Sequence, residues 1–234
     1  MVELYVIRHG QASFGQPAYD RLSAVGERQA ELLGRYFWRN GIQFDAIYSG
    51  ALRRHVQTAT IATNQMKDRR PPKIAIDDDF NEMDSSDQMM NRLFSVIQDD
   101  PVLGEQLKHI HTDHGAIGRI FDIAEKMDML PAEVETRLEA AKQFRARIAG
   151  AIENVVRKVG DQKKVAVFTS GGPTAVALRQ TLDTSREQTI RLGWELRNTS
   201  ITVLRHHQDR LWLVLFNCVA HLEAQNDPAL ITYI

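Results

Sequence analysis

The chain has 234 residues, 43% of them hydrophobic and 25% charged, enough for one domain with a substantial buried core. A formal net charge of -1 and a pI near 6.7 exclude an overall basic field that would draw the protein to nucleic acid or to an anionic membrane, so any anion must be held by local charges. The single cysteine, Cys218, excludes an internal disulfide and, inside the apolar run Leu211 to Val219, reads as a small buried hydrophobe.

The opening residues carry too short an apolar stretch for a signal segment, and no segment approaches the ~20 apolar residues of a membrane span. The expectation is a soluble, cytoplasmic protein. Along the chain, short β-branched and aromatic runs alternate with longer helical patterns, which predicts an α/β fold with a mostly parallel sheet and helices on both faces.

The first strand is predicted at Leu4 to Ile7. Ser23 then caps a long helix marked by Glu27, Ala30, Leu33 and Phe37. A strand at Ala46 to Tyr48, a helix from about Leu52 to Met66 and a strand at Lys73 to Ile76 follow. From Glu82 to Met129 there are helical pieces (Gln88 to Ile97, Ile117 to Met127) broken by Pro101, Gly104, Gly115 and Gly118, with no strand signal. This stretch reads as a helical insertion at about 83–130 within a single domain of residues 1–234.

A long helix runs from Pro131, suited to a first turn, to about Val159, with Gly160 as its stop. Its apolar residues at Val134, Leu138, Ala141, Phe144, Ile148, Ile152 and Val155 form a 3.6-residue stripe, better read as core than as a partner groove. Strands at Val165 to Thr169, Ser200 to Arg205 and Leu211 to Phe216 complete the sheet. The last two face each other across His206-His207-Gln208-Asp209 as a hairpin.

Chemistry first shows in Arg8-His9-Gly10-Gln11, at the carboxyl end of the opening strand, where open α/β sheets place their ligand crevice. A neutral imidazole is a competent nucleophile for phosphoryl transfer when one ring nitrogen is held so that the other points at phosphorus. Arg8 beside it offers a planar fork for phosphate oxygens. Two further segments carry signal: Asp20-Arg-Leu22-Ser23-Ala-Val-Gly26-Glu-Arg-Gln29-Ala30, and Tyr48-Ser49-Gly50-Ala-Leu52-Arg53-Arg54-His55-Val-Gln57-Thr58-Ala59.

In order and spacing these segments resemble those of the histidine phosphatase superfamily, the phosphoglycerate mutase-like proteins, over roughly the first eighty residues and again from near Val165. The resemblance implies a three-layer α/β/α sandwich, a phosphohistidine intermediate, no metal and no organic cofactor. It assigns the nucleophile to His9 and the adjacent phosphate ligand to Arg8. It gives the second phosphate-binding arginine as Arg54 rather than Arg53, because the family's arginine stands four residues before the Thr-Ala pair, here Thr58-Ala59. Glu82, in Asp79-Phe-Asn-Glu82, occupies the place where many members keep a general acid and base.

The last motif departs from the pattern. Where the family has a second histidine before two glycines, this chain reads Val167-Phe168-Thr169-Ser170-Gly171-Gly172-Pro173, with Ser170 in the histidine's position. A serine donates one neutral hydrogen bond to a phosphoryl oxygen but brings no positive charge. Losing such a transition-state contact typically costs ~2.7–4 kcal/mol, roughly a hundred- to thousandfold in rate. His55, directly after Arg54 where the family commonly has alanine, is the candidate for compensation. Backbone amides at Gly171 complete the phosphate pocket.

The implied activity is therefore metal-independent hydrolysis of a small phosphorylated metabolite or other phosphomonoester. The alternative is a weak or inactive phosphate-binding, regulatory member. A mutase is disfavoured because no dedicated carboxylate clamp for a diacid intermediate is identifiable, and a protein phosphohistidine phosphatase because of the large insertion. The cluster His109, His111, Asp113 and His114 has the ligand types of a zinc site but no assisting cysteine, and is not assigned a metal. Arg69 and Arg70 read as a solvated turn, and His221 as part of the tail with no catalytic role.

Overall fold

Strand β1 (Val2–Arg8) alternates its side chains between two layers of helix, and that alternation sets the architecture. The computed structural model describes residues 1–13, 20–66, 68, 70–83 and 131–233, with positions 131–138 described by their backbone. After β1 come α1 (Ala24–Arg39), β2 (Ala46–Ser49), α2 (Arg53–Asn64) and β3 (Ile74–Ile76). Helix α3 (Pro131–Val159), β4 (Lys163–Thr169), α4 (Gly171–Leu182) and α5 (Arg186–Glu195) follow, and then β5 (Ile201–His207), β6 (Arg210–Cys218) and the short α6 (Ala220–Glu223). Residues 84–130, which hold all but the first position of the expected insertion and its histidine cluster, and Arg69 lie outside the described residues.

Val2, Leu4 and Val6 of β1 pack with Val165 and Val167 of β4 against Phe144, Ile148, Ala151, Ile152 and Val155 of α3 and Val176 and Ala177 of α4. On the opposite face Ile7, Ala166 and Phe168 pack with Leu33 and Phe37 of α1 and Ala59 and Ala62 of α2. Two cores on two sides of one sheet make three layers, as the alternating strands and amphipathic helices require. Each large apolar side chain buried this way contributes roughly 1.5–3 kcal/mol, and truncating one such as Leu4 to alanine would cost about 2–5 kcal/mol.

The six strands stand in the order β3-β2-β4-β1-β5-β6. β3, β2, β4 and β1 pair in parallel, and β5 and β6 add an antiparallel hairpin beside β1. Because Arg8 is level with Thr169, and Ser49 with Phe168, the chain leaves β1, β2 and β4 at one edge of the sheet. His9, Gly50 and Ser170 are the residues that follow, which brings three separated segments to one place.

Several elements differ from expectation. Helix α5 was not anticipated; its apolar pattern is weak, with Thr189 its buried residue, but Ser185 and Gln188 form a reciprocal capping box that was legible as Ser-x-x-Gln. The hairpin turn is tighter than the predicted four residues: His206 and His207 stay in β5, and Gln208 and Asp209, at φ 50° and 57°, make the turn alone. Cys218 is half-buried rather than buried, because β6 is an edge strand whose Trp212, Val214 and Leu215 are exposed. Gly160, at φ 71°, ends α3 as expected. Among the described residues no helix is long and apolar enough to cross a membrane.

Candidate active site

His9 sits one residue beyond β1, its backbone N–H donating to Thr169 O at 2.8 Å. Its Nδ1 lies 2.7 Å from Gly10 O. A carbonyl only accepts, so Nδ1 carries the proton and Nε2 keeps a lone pair for attack. Burial holds the His9 pKa well below the usual histidine value, and the positive charges of Arg54 and Arg8, with His55, push it further down. The imidazole is therefore neutral at physiological pH, the state a nucleophile needs.

Arg54 is the second residue of α2 and is buried, whereas Arg53 is exposed. Its Nη1 donates to Asp20 Oδ1 at 2.8 Å, and Asp20 Oδ2 accepts from Arg53 N at 2.8 Å. Asp20 thus both pairs the guanidinium and serves the start of α2, where Leu52 makes no side-chain cap bond. One turn on, Thr58 Oγ1 donates to Arg54 O at 2.7 Å and accepts from Gly10 N at 3.0 Å, joining α2 to the His9 loop. Arg8 is half-buried and donates through Nη1 to Leu196 O; a Cβ on Gly171 would lie 3.7 Å from its Nε, so the guanidinium rests against the start of α4.

His55, the residue after Arg54, is fully buried and turned to the same place. Its ring centroid is 5.6 Å from that of His9 with the planes 30° apart, and its Nε2 is 2.5 Å from Ser170 Oγ. The space for it depends on a glycine: a Cβ on Gly50 would come within 2.3 Å of His55 Nδ1. That Nδ1 has no hydrogen-bond partner among the described residues. A buried N–H without an acceptor is rarer than an unsatisfied acceptor, so the proton belongs on Nε2, which donates to Ser170 Oγ. Ser170 makes no cap bond to α4, and its own O–H is left to donate elsewhere. Burial first, and Arg54 second, hold the His55 pKa well below the usual value.

Glu82 is seated on the same helix start. Its Oε2 accepts from Gly172 N at 3.0 Å, and a Cβ on Gly172 would lie 2.1 Å from Oε1, so only glycine admits the carboxylate there. Arg147 of α3 holds the backbone leading to it, with Nη1 donating to Asp78 O at 2.8 Å and Nη2 to Asn81 O at 3.0 Å and Glu82 O at 3.3 Å. Asn81 Oδ1 in turn accepts from Ala51 N at 2.7 Å.

The sequence singled out His9, Arg8, Arg54, Glu82, Ser170, Gly171 and His55, and all seven stand around the carboxyl ends of β1, β2 and β4. Asp20, Thr58 and Arg147 were not recognised as parts of the site. Asp20 and Thr58 lie inside the quoted motifs, but nothing local marks their partners, which come from other elements. His221, set aside in the sequence, is buried with Nε2 at 2.9 Å from Thr199 Oγ1, and its pKa is lowered by burial to about 3.

The histidine phosphatase superfamily (branch 1) profile matches residues 4–219, and the chain belongs to that family. It is 25% identical over 219 residues to the broad-specificity phosphatase YOR283W of Saccharomyces cerevisiae, covering 89% of this chain and 81% of that protein. The fold is shared with a phosphoserine phosphatase from Entamoeba histolytica, solved in complex with 3-phosphoglyceric acid, at TM-score 0.61 and 17% identity over 95% of this chain and 100% of that one. It is shared also with a phosphoglycerate mutase from Bacillus anthracis, at TM-score 0.60 and 18% identity over 97% of each chain.

Proposed function

We propose that this chain, a phosphoric monoester hydrolase of the histidine phosphatase type, works through a phosphohistidine at His9 and needs no metal or organic cofactor. The observation that carries the proposal is the neutral His9 ring, tied at Nδ1 by Gly10 O and set among Arg8 and Arg54. The phosphoryl group enters between the two guanidinium groups and the amide of Gly171, which opens a helix whose dipole favours an anion. His9 Nε2 attacks phosphorus; the P–O ester bond breaks, and the protonated Glu82 carboxyl gives its proton to the leaving alkoxide. Water then attacks, Glu82 takes its proton, the P–N bond breaks, and phosphate leaves with His9 neutral again.

His55 and Ser170 together stand in for the family's second histidine. The Ser170 hydroxyl donates to an equatorial phosphoryl oxygen while His55, 2.5 Å behind it, polarises that hydroxyl. A hydrogen-bonded relay restores part of the ~2.7–4 kcal/mol that an absent transition-state contact costs. The substrate class is a small phosphorylated metabolite, in keeping with the phosphoserine phosphatase and the broad-specificity phosphatase the chain resembles. Selection among such esters falls to the insertion at 83–130, and the single cysteine accords with a cytoplasmic setting.

The test is phosphate release from p-nitrophenyl phosphate in the presence of a chelator, by wild type and His9→Ala. Turnover that depends on His9, with an acid-labile phosphoprotein trapped by rapid quench, is the expected result. Release that survives His9→Ala overturns the proposal. A second reading, a phosphate-binding member without turnover, rests on the neutral hydroxyl at Ser170; binding of vanadate with no His9-dependent release would favour it.

A further inference from the structure

Around the backbone of His9 lies a buried polar cluster that the mechanism above does not use. The loop between α5 and β5 places Asn198 and Thr199 there, both fully buried. Two donors converge on the carbonyl of His9: Thr199 N at 3.2 Å and Asn198 Nδ2 at 3.2 Å. Thr199 does so from φ 55°, a left-handed conformation that a β-branched residue adopts only where its surroundings impose it.

What imposes it is visible around the loop. Thr199 Oγ1 donates to Asn198 O at 2.8 Å, so at its other contact, 2.9 Å from His221 Nε2, it accepts the imidazole N–H. His221 is 3% exposed, and burial keeps it neutral with one N–H to give. Asn198 is gripped separately: its N–H donates to Thr232 O at 2.8 Å, its Oδ1 accepts from Thr232 Oγ1 at 2.8 Å, and Thr232 Oγ1 accepts from Gln29 Nε2 at 2.8 Å. Gln29 Oε1 closes the circuit on the catalytic loop by accepting from Gln11 N at 2.8 Å.

The peptide joining His9 to Gly10 is thereby fixed at both ends. Its oxygen is held by Asn198 and Thr199, and its N–H by Thr58 Oγ1 at 3.0 Å. That plane determines where the next carbonyl, Gly10 O, can lie, and Gly10 O is the group that holds His9 Nδ1. We infer that Asn198, Thr199 and His221 are positioning residues for His9, a strained clamp that fixes the tautomer and the aim of the nucleophilic ring from behind. The inference rests on the reading of His9 as nucleophile.

The test compares wild type with Thr199→Gly, Thr199→Ser, His221→Leu and His221→Gln. Two readouts are used: kcat and KM for p-nitrophenyl phosphate, and the His9 ring tautomer from long-range ¹H–¹⁵N NMR. Thr199→Gly relieves the backbone strain, which offsets the cost of deleting the buried hydroxyl, and its fold is checked by circular dichroism; its kcat should fall about ten- to hundredfold with KM changed less than about threefold. His221→Leu should do the same, and the conservative Thr199→Ser and His221→Gln should retain most of kcat. Wild type should show a single Nδ1–H tautomer for His9, and Thr199→Gly a mixture. A Thr199→Gly protein with wild-type kcat and a single tautomer overturns the clamp, whatever becomes of His221→Leu. Should wild type itself lack turnover, the phosphatase reading falls, and the tautomer comparison still decides the clamp.

Discussion

Toward the open end of the sheet His9 faces the charged Arg8 and Arg54, with His55, whereas behind it stand the neutral, buried Asn198, Thr199, Thr232 and Gln29, with His221, which burial keeps uncharged. Buried charges interact over several ångströms in a low dielectric, while neutral amides and hydroxyls act only along their hydrogen bonds. On the proposed mechanism the division lets the front of the ring answer to a phosphate's charge and the back fix its geometry without altering its protonation. A charge at the rear would have stabilised or repelled the imidazolium whether or not substrate was present.

This contrast can be broken at the front most directly. His9→Ala should lower phosphate release by roughly a thousandfold or more, read as kcat/KM with a chromogenic ester, because no other group supplies the nucleophile. The relay through His55 gives the next effect. His55→Ala should reduce kcat about ten- to hundredfold, part of the loss expected for a missing transition-state donor. Ser170→His alone should not help, because His55 Nε2 already stands 2.5 Å from the serine oxygen and leaves no room for a second ring. The double variant His55→Ala with Ser170→His exchanges one imidazole for the other and should recover or exceed wild-type kcat. Equal rates for wild type and His55→Ala would end the relay.

Acid sharpens the comparison from both sides. His9, His55 and His221 have folded pKa values below their unfolded value of 6.5, His221 near 3, so the unfolded chain binds more protons in that window. Stability is therefore full above pH 6.5 and falls as pH drops from 6.5 toward the folded values. Between pH 6.5 and 5 the loss from His221 is about 1.6 kcal/mol, seen as a lower urea midpoint, and His9 and His55 add to it in the same direction. His221→Gln should flatten that slope by about one proton. The smallest effect lies away from both sides: Ser185→Ala removes the capping box of α5 and should cost about 1 kcal/mol of stability, with kcat unchanged.

Much of the front of this site was legible because its residues are local to their motifs. Arg8 and His9 end the first strand, Arg54 and His55 open a helix, and Ser170 to Gly172 join β4 to α4. Strand order could not be read, yet parallel pairing made the carboxyl ends the place to look. The rear was not legible, because the bonds that tie it to the His9 loop and to α1 span most of the chain: Gln29 reaches Thr232, and Asn198 reaches His9. Nothing in Asn198-Thr199 announces a left-handed threonine, and His221 resembles any tail histidine until its partner is seen. Helix α5 escaped for the opposite reason: its cap was plain, but it buries too little to show a periodic face.

The Gln208-Asp209 turn lies at the amino end of β1, beside His206, which pairs with Val2 and so sits a full strand length from His9. Two side-chain-bearing residues held in left-handed backbone each cost roughly 1–2 kcal/mol relative to an ordinary conformation, a strain that Asn-Gly at these positions would largely remove. Robustness can thus be added at one pole of the molecule while turnover is decided at the other, and heat tolerance and specificity are open to being bred as separate traits.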